Sequence, residues 1–182
     1  KLKGEFTSRI CASGLYLCTG SVDAVRAASL GELLGYDRKA YVIVDPAKSE
    51  IGDSTALAGR VPLFDFLDDA VRDKDSPVLI EADDARGWTD IVNGAWGQDS
   101  VFILLSEADQ HDVLSAVRQA LRPAAVASNG IVGICWPGVL GAMLDFDQSV
   151  ALTPLLNVID TFLMEAPDDP QTWHLYSTRN LE

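Results

Sequence analysis

Two stretches in the second half of the chain decide the fold: WGQDSVFILLS at residues 96–106 and NGIVGICWPGVLGAML at residues 129–144. The run VFILL has the length and the apolar character of a strand that is buried on both faces. Asn129-Gly130 indicates a type I′ turn, because both turn positions need positive φ. Pro137 suits the first turn of a helix. Together they predict a strand, a helix, an antiparallel hairpin and a second helix start.

Strands and helices alternate in the same way along the rest of the chain. Strands are predicted at residues 6–11, 14–20, 41–44, 77–81, 101–105, 124–127, 131–136 and 172–177, the last of them at a sheet edge. Helices are predicted at residues 22–34 after a Ser21 cap, 62–71 from Pro62, 88–92, up to Leu121 after a Ser106 cap, 137–144, and 154–163 from Pro154. This order predicts an α/β fold: a mixed sheet with a late antiparallel hairpin, covered by helices, in a single domain at residues 1–180.

The composition narrows the classes of partner. The chain of 182 residues has 27 acidic and 14 basic residues, which gives a formal charge of −13. Such a surface repels phosphate backbones and anionic lipids, so neither nucleic acid nor a membrane is expected as a partner. The same charge speeds the encounter with a basic protein partner, although many acidic chains are acidic for solubility alone.

The cysteines and the termini bear on the compartment. Cys11, Cys18 and Cys135 lack C-x-x-C spacing and leave one thiol over if two pair, which favours a reducing compartment. The first ten residues lack the apolar stretch of a secretory signal. A cytoplasmic protein is therefore expected. The last two residues, 181–182, resemble the remnant of a purification tag and are left out of the functional interpretation.

The residues that could carry chemistry are few. His111 and His174 are the only histidines, and both positions suit structural or solvated side chains better than metal ligands or triad members. Cys135 precedes a helix start, where backbone dipoles can stabilise a thiolate, but the apolar neighbours favour a buried, inert thiol. The glycine spacings form neither a phosphate loop nor a dinucleotide fingerprint. No cofactor is expected.

One enzymatic alternative rests on carboxylates that follow two predicted strands. Asp45 ends the strand at 41–44, and Glu81, Asp83 and Asp84 end the next strand. If these strands were parallel, the carboxylates would meet at one edge and could bind Mg²⁺ for hydrolysis. The competing interpretation is that Asp45-Pro46 starts a turn and that Asp83-Asp84 caps a helix.

Four short motifs follow one another from residue 40 onward. AYVIVDPA at 40–47 is an apolar strand that ends in aspartate, and SPVLIEAD at 76–83 is a strand preceded by proline. Trp96-Gly97 leads into VFILLS and the arginine-containing helix HDVLSAVRQAL at 111–121, and ICWPGVLGAML at 134–144 carries a Pro-x-Val-Leu helix start. Over residues 40–178 this order resembles the effector-adaptor family of type VI secretion systems, whose domain was first catalogued as one of unknown function. That family has an arginine and an aspartate before the proline, where this chain has Gly133 to Trp136.

The resemblance implies a non-enzymatic, cytoplasmic bacterial adaptor or chaperone. It would bind a secreted effector and help load it onto the spike-tip protein of the secretion apparatus. Trp88, Trp96, Trp136 and Pro137 are the candidate partner-binding residues, because tryptophans often anchor interfaces. A small acidic immunity or regulatory protein that binds a toxin is the alternative within the binding class.

Overall fold

The computed structural model describes residues 7–21, 38–49, 51, 59–68, 72, 76–82, 91, 93–122, 133–146 and 149–179. Its strands are β1 Thr7–Ile10, β2 Tyr16–Ser21, β3 Lys39–Val44, β4 Val61–Pro62, β5 Val78–Glu81, β6 Val101–Ser106, β7 Thr161–Ala166 and β8 Asp169–Ser177. The helices whose bounds it gives are α1 Gln110–Leu121, α2 Pro137–Asp145 and α3 Ser149–Leu156.

The eight strands form one sheet in the order β1-β2-β8-β7-β6-β3-β5-β4. Each pair of neighbours in this sheet is antiparallel. The expected α/β class, a sheet covered by helices, is confirmed. β7 and β8 form an antiparallel hairpin late in the chain, but it is not the hairpin predicted around Asn129-Gly130, which lies outside the described residues.

The central strands are buried on both faces because a separate core lies on each side of the sheet. On one side, alternate residues such as Tyr41 and Phe102 pack with α1, α2 and α3. On the other side, Val42 and Ile103 pack with Ile91 and Ala95. A strand in this position must be apolar at every residue, not at every second one. The strands predicted at 41–44, 77–81 and 101–105 are confirmed. Those predicted at 6–11 and 14–20 are found as Thr7–Ile10 and Tyr16–Ser21, and residue 6 lies outside the described residues.

The start of α1 differs from the prediction. Asp109 caps the helix, and its side chain accepts a hydrogen bond from the Asp112 N–H at 3.0 Å. The predicted cap, Ser106, is wrong: this residue ends β6, and its hydroxyl donates to the Val158 carbonyl at 2.6 Å. The buried face of the helix includes Val113, Val117 and Leu121, as expected.

The helix predicted from Pro62 is wrong over its first turns. Pro62 lies in the two-residue edge strand β4, where a missing N–H is tolerated because one side of the strand has no ladder partner. The next N–H, of Leu63, donates to the Pro77 carbonyl at 2.8 Å, and the Leu63 side chain is fully buried. Val71 lies outside the described residues.

The helix predicted from Pro154 to residue 163 is also wrong. Pro154 lies inside α3, which begins five residues earlier, and residues 161–166 form β7. Phe162 and Met164 pack into one core and Leu163 into the other. Burial on alternate sides is the strand period of two, which the apolar spacing had suggested to be helical.

The last strand is not an edge strand as predicted. β8 lies between β2 and β7, and the Trp173 side chain on it is buried, with its indole N–H donating to the Ser21 carbonyl at 2.7 Å. The hairpin predicted at Asn129-Gly130 and the helix predicted at 22–34 lie outside the described residues. Residues 134–136, expected to end a strand, form a turn before α2.

Within the ranges given above, no single helix is both long enough and apolar enough to span a membrane.

Gly20→Ala should destabilise the fold, because a methyl group on Gly20 would overlap the Trp173 ring on the neighbouring strand. We expect a loss of about 1–3 kcal/mol in the free energy of unfolding, measured with urea. Gly141→Ala in α2 is the matched control. Its methyl group would make ordinary contacts of 3.4 and 3.5 Å with Tyr176 and Met164, and alanine favours a helix by up to about 1 kcal/mol. Equal losses in the two variants would contradict this account.

Candidate functional site

Three strands and two loops meet at one end of the sheet. β3 ends at Val44, opposite the first residue of β6, and β7 ends at the same side of the sheet. The chain leaving β3, the loop before β6 and the start of α2 therefore lie together. We call the polar side chains gathered there the sheet-end cluster: Asp45, Lys48, Asp99, Trp136 and Glu165.

Glu165 is the buried anchor of this cluster. Its carboxylate accepts hydrogen bonds from the backbone N–H groups of Gly97 and Asp99, in the loop before β6. Both loop residues have positive φ, 88° at Gly97 and 50° at Asp99. A non-glycine residue adopts this conformation when surrounding contacts favour it. Burial raises the pKa of Glu165, and the hydrogen bonds from the two N–H groups oppose that shift.

Asp99 connects this loop to α2. One carboxylate oxygen accepts a hydrogen bond from the Gly138 N–H at 2.7 Å. Gly138 is the second residue of the helix, whose first N–H groups have no partner within the helix. The residue at the capping position, Trp136, makes no side-chain cap bond. Asp99 thus caps α2 from a distant part of the chain, and the helix dipole favours its negative charge.

The Trp136 ring is held between two loops. Its indole N–H donates to Asp45 at 2.8 Å, and the other Asp45 oxygen accepts from the Ala47 N–H at 3.0 Å. This second bond confirms that Asp45 starts a turn. The Lys48 ammonium lies 4.7 Å from the ring centroid and 3.3 Å from the second Asp99 oxygen. The N–H edge of the Trp136 ring is therefore held by a hydrogen bond, and one face of the ring carries the lysine ammonium.

The exposed side of this cluster forms a small mixed surface. A methyl group built on Gly133 would lie 2.6 Å from the Trp136 ring and 3.6 Å from the Val139 side chain, so these two side chains flank Gly133. Val139 is 38% exposed and Trp136 is half-buried. We call Lys48, Gly133, Trp136 and Val139 the Trp136 surface.

The structure places Trp136 and Pro137 next to each other, whereas Trp96 lies on the opposite face of the sheet. Trp96 lies at the same sheet end, where its indole N–H donates to the Pro170 carbonyl at 2.7 Å and its ring packs against the opposite core from Trp136. Pro137 is buried at the start of α2 and stabilises the turn instead of presenting a contact surface. Trp88 lies outside the described residues.

The geometry required by the Mg²⁺ alternative is not found. β3 and β5 are antiparallel, with Tyr41 opposite Glu81 and Val44 opposite Val78. Asp45 and Glu81 therefore lie at opposite ends of the two strands, and the expected shared edge is wrong. Glu81 instead faces Lys39 at 3.8 Å. In the part of the chain that the structure describes, no three His, Cys, Asp or Glu side chains are placed to hold a metal ion. Asp83 and Asp84 lie outside that part.

The thiol and imidazole candidates differ in their burial. Cys135 is fully buried, and this burial, with Asp45 nearby, raises the pKa of the thiol to about 12. It therefore stays protonated at neutral pH, as the interpretation of an inert thiol requires. His111 is exposed on α1. Burial lowers the pKa of His174, whose Nδ1 lies 3.4 Å from the Tyr176 hydroxyl.

A second polar cluster joins β1 to the end of α2. Asp145 accepts a hydrogen bond from Arg9 at 2.8 Å and one from the Cys11 thiol at 3.3 Å. Burial raises the pKa of Cys11 to about 11, so this thiol is a hydrogen-bond donor at neutral pH. The cluster ties an edge strand to a helix and leaves no thiolate for nucleophilic attack.

Sequence reasoning missed Lys48, Asp99 and Glu165, which complete the sheet-end cluster. Asp99 had a local signal, since it lies in a short polar stretch between Trp96-Gly97 and a strand. Glu165 lies within an otherwise apolar strand, where a single carboxylate suggests a buried partner. Comparison with protein families, with curated proteins and with solved structures gives no match for the chain.

Glu165→Gln should loosen the loop before β6. An amide offers one oxygen and one NH₂ group to two backbone N–H donors, so one donor loses its acceptor. We expect a loss of about 1–3 kcal/mol in the free energy of unfolding at pH 7. Glu107→Gln, in an exposed ion pair with Arg179, is the control and should cost less than about 1 kcal/mol.

The stabilities of wild type and Glu165→Gln should also depend differently on pH. The folded-state pKa of Glu165 is raised above its ordinary value of 4.5. The stability linked to this group is thus fully present below that ordinary value and lost as pH rises through the folded-state pKa. Wild type should therefore gain stability relative to Glu165→Gln as the pH falls from 7 through the folded-state pKa, and the gain should be complete below 4.5. A constant difference between the two urea midpoints would contradict the raised pKa.

Proposed function

We propose that this chain is a non-enzymatic, cytoplasmic adaptor or chaperone that binds a secreted effector through the Trp136 surface. The observation that carries the proposal is the fixed Trp136 ring, with Lys48 above it and exposed Val139 beside it. A rigid aromatic side chain at a partly exposed position is the kind of anchor on which protein interfaces depend.

Preorganisation is the physical reason for choosing this surface. A tryptophan that binds a partner normally loses rotamer freedom when the complex forms. Trp136 has already lost this freedom in the free protein, because its N–H is bound to Asp45 and its helix is capped by Asp99. The entropy loss on association is therefore smaller than for a free surface side chain.

The choice of an effector as the partner rests on the order of sequence motifs over residues 40–178. The net charge of −13 supports encounter with a basic segment of such an effector. The carboxylates of the sheet-end cluster support binding over catalysis, since Glu165 and Asp45 each accept two hydrogen bonds from within the chain. These carboxylates hold loops and the Trp136 ring in place, which is the role expected of them in a protein that binds a partner.

Val139→Asp should weaken partner capture without unfolding the protein. We expect co-purification of the tagged chain from a native lysate to recover a secreted toxin together with a spike component, and the variant to recover about tenfold less of both. Val150→Asp in α3 is the matched control, because it adds the same charge at a residue that is 90% exposed and lies beyond the other end of α2. It should leave recovery unchanged.

Other results would change the proposal in defined ways. Recovery of a toxin without a spike component would indicate an immunity protein. Sub-millimolar binding of Mg²⁺ in calorimetry, abolished by Asp45→Asn, would support the hydrolase and oppose the adaptor. Equal loss of partner in the two valine variants would show that the Trp136 surface is not the binding site.

A further inference from the structure

We propose that Lys48 occupies, in the free protein, a cation site that takes an arginine side chain of the partner when the complex forms. The site consists of the Trp136 ring and the Asp99 oxygen that pairs with Lys48 in the free protein. This inference rests on the proposed function, since it names the chemistry of the partner at the same surface. It identifies the group recognised there as a guanidinium on a protein.

The observed geometry is that of a cation site. The Lys48 ammonium lies 4.7 Å from the Trp136 ring centroid, within the distance of a cation–π interaction. It also lies 3.3 Å from Asp99. The indole N–H is bound to the Asp45 carboxylate, which places a second negative charge beside the ring. The ammonium therefore lies between an aromatic face and the Asp99 carboxylate, and the Asp45 carboxylate is bound at the N–H edge of the same ring.

Lys48 can leave this position at low energetic cost. The Lys48 and Asp99 side chains are 40% and 48% exposed, and at exposed positions both an ion pair and a cation–π contact are weak. Asp99 would not move with it, because its other oxygen is bound to the Gly138 N–H at the start of α2. Departure of Lys48 therefore leaves a formed site whose ring and carboxylate keep their positions.

Arginine suits the vacated position better than lysine. A guanidinium is less strongly hydrated than an ammonium, lies flat on an indole ring and can donate to a carboxylate in the same plane. It can therefore stack on Trp136 and bind Asp99 together. The chain carries a net charge of −13, so an arginine-bearing partner is also attracted at long range. A partner arginine would compete with Lys48, which makes this lysine a placeholder.

Removal of the placeholder should raise the affinity for a free guanidinium compound. We expect Lys48→Met to bind N-acetyl-arginine amide about tenfold more tightly than wild type, as a gain of about 1.4 kcal/mol implies. The measurement is an NMR titration that follows the indole N–H signal of Trp136. Lys39→Met is the matched control, because Lys39 is a half-exposed lysine in an ion pair with Glu81 at the other end of β3. It should bind like wild type.

Two further measurements identify the chemistry of the site. N-acetyl-citrulline amide has nearly the shape of the arginine probe without its charge, and it should bind Lys48→Met at least tenfold more weakly. Asp99→Asn in the Lys48→Met background keeps an acceptor oxygen for Gly138 but removes the charge, and it should abolish the gain. N-acetyl-lysine amide should bind more weakly than the arginine probe.

The inference is overturned if Lys48→Met gains no more than Lys39→Met, if citrulline binds as tightly as arginine, or if the double variant keeps the gain. These titrations need no partner protein, so they are separate from the test of the proposed function. A site that binds the arginine probe in a chain that captures no effector would refute the adaptor and retain the cation site. Capture of an effector by a chain whose Lys48→Met variant gains no affinity for the arginine probe would retain the adaptor and refute the cation site.

Discussion

The carboxylate of Glu165 is the constraint on which the sheet-end cluster depends. By accepting hydrogen bonds from the N–H groups of Gly97 and Asp99, it fixes the loop before β6 in a conformation with two positive φ angles. That loop places Asp99, which caps α2 and faces Lys48. One buried acid on a strand therefore helps to position both the start of α2, next to Trp136, and the lysine over its ring, while Asp45 holds the indole N–H.

Burial of this acid would be unfavourable without those partners. A carboxylate removed from water loses hydration that only charge-assisted hydrogen bonds can replace. The register of β7 against β8 shifts between Glu165 and Ala166. Such an irregularity redirects side chains at the end of a strand. Here the Glu165 carboxylate reaches the loop that precedes the neighbouring strand β6. The antiparallel sheet supplies this meeting point because β6 starts where β7 ends.

The fold was predictable where burial dictates composition and less so where proline allows two roles. β3, β5 and β6 lie between two cores, so continuous apolar runs identify them. Pro62 and Pro154 each suit a helix start, yet one lies in an edge strand and the other inside α3. For the site, the sequence indicated residues such as Asp45 and Trp136 as candidates but not that they are in contact. Asp45 and Trp136 are 91 residues apart in sequence, and no local pattern connects them.

Strand direction decides whether the carboxylates required by the Mg²⁺ alternative can meet at one edge of the sheet. In a parallel sheet, Asp45 would share an edge with Glu81 and could help hold a metal ion. In this antiparallel sheet the two lie at opposite ends, and the Asp45 oxygens accept from Ala47 and Trp136 instead. A metal ion at Asp45 would have to displace both donors and release the ring. The residue that the enzymatic alternative required as a ligand therefore supports the aromatic side chain on which recognition of a partner is proposed to depend.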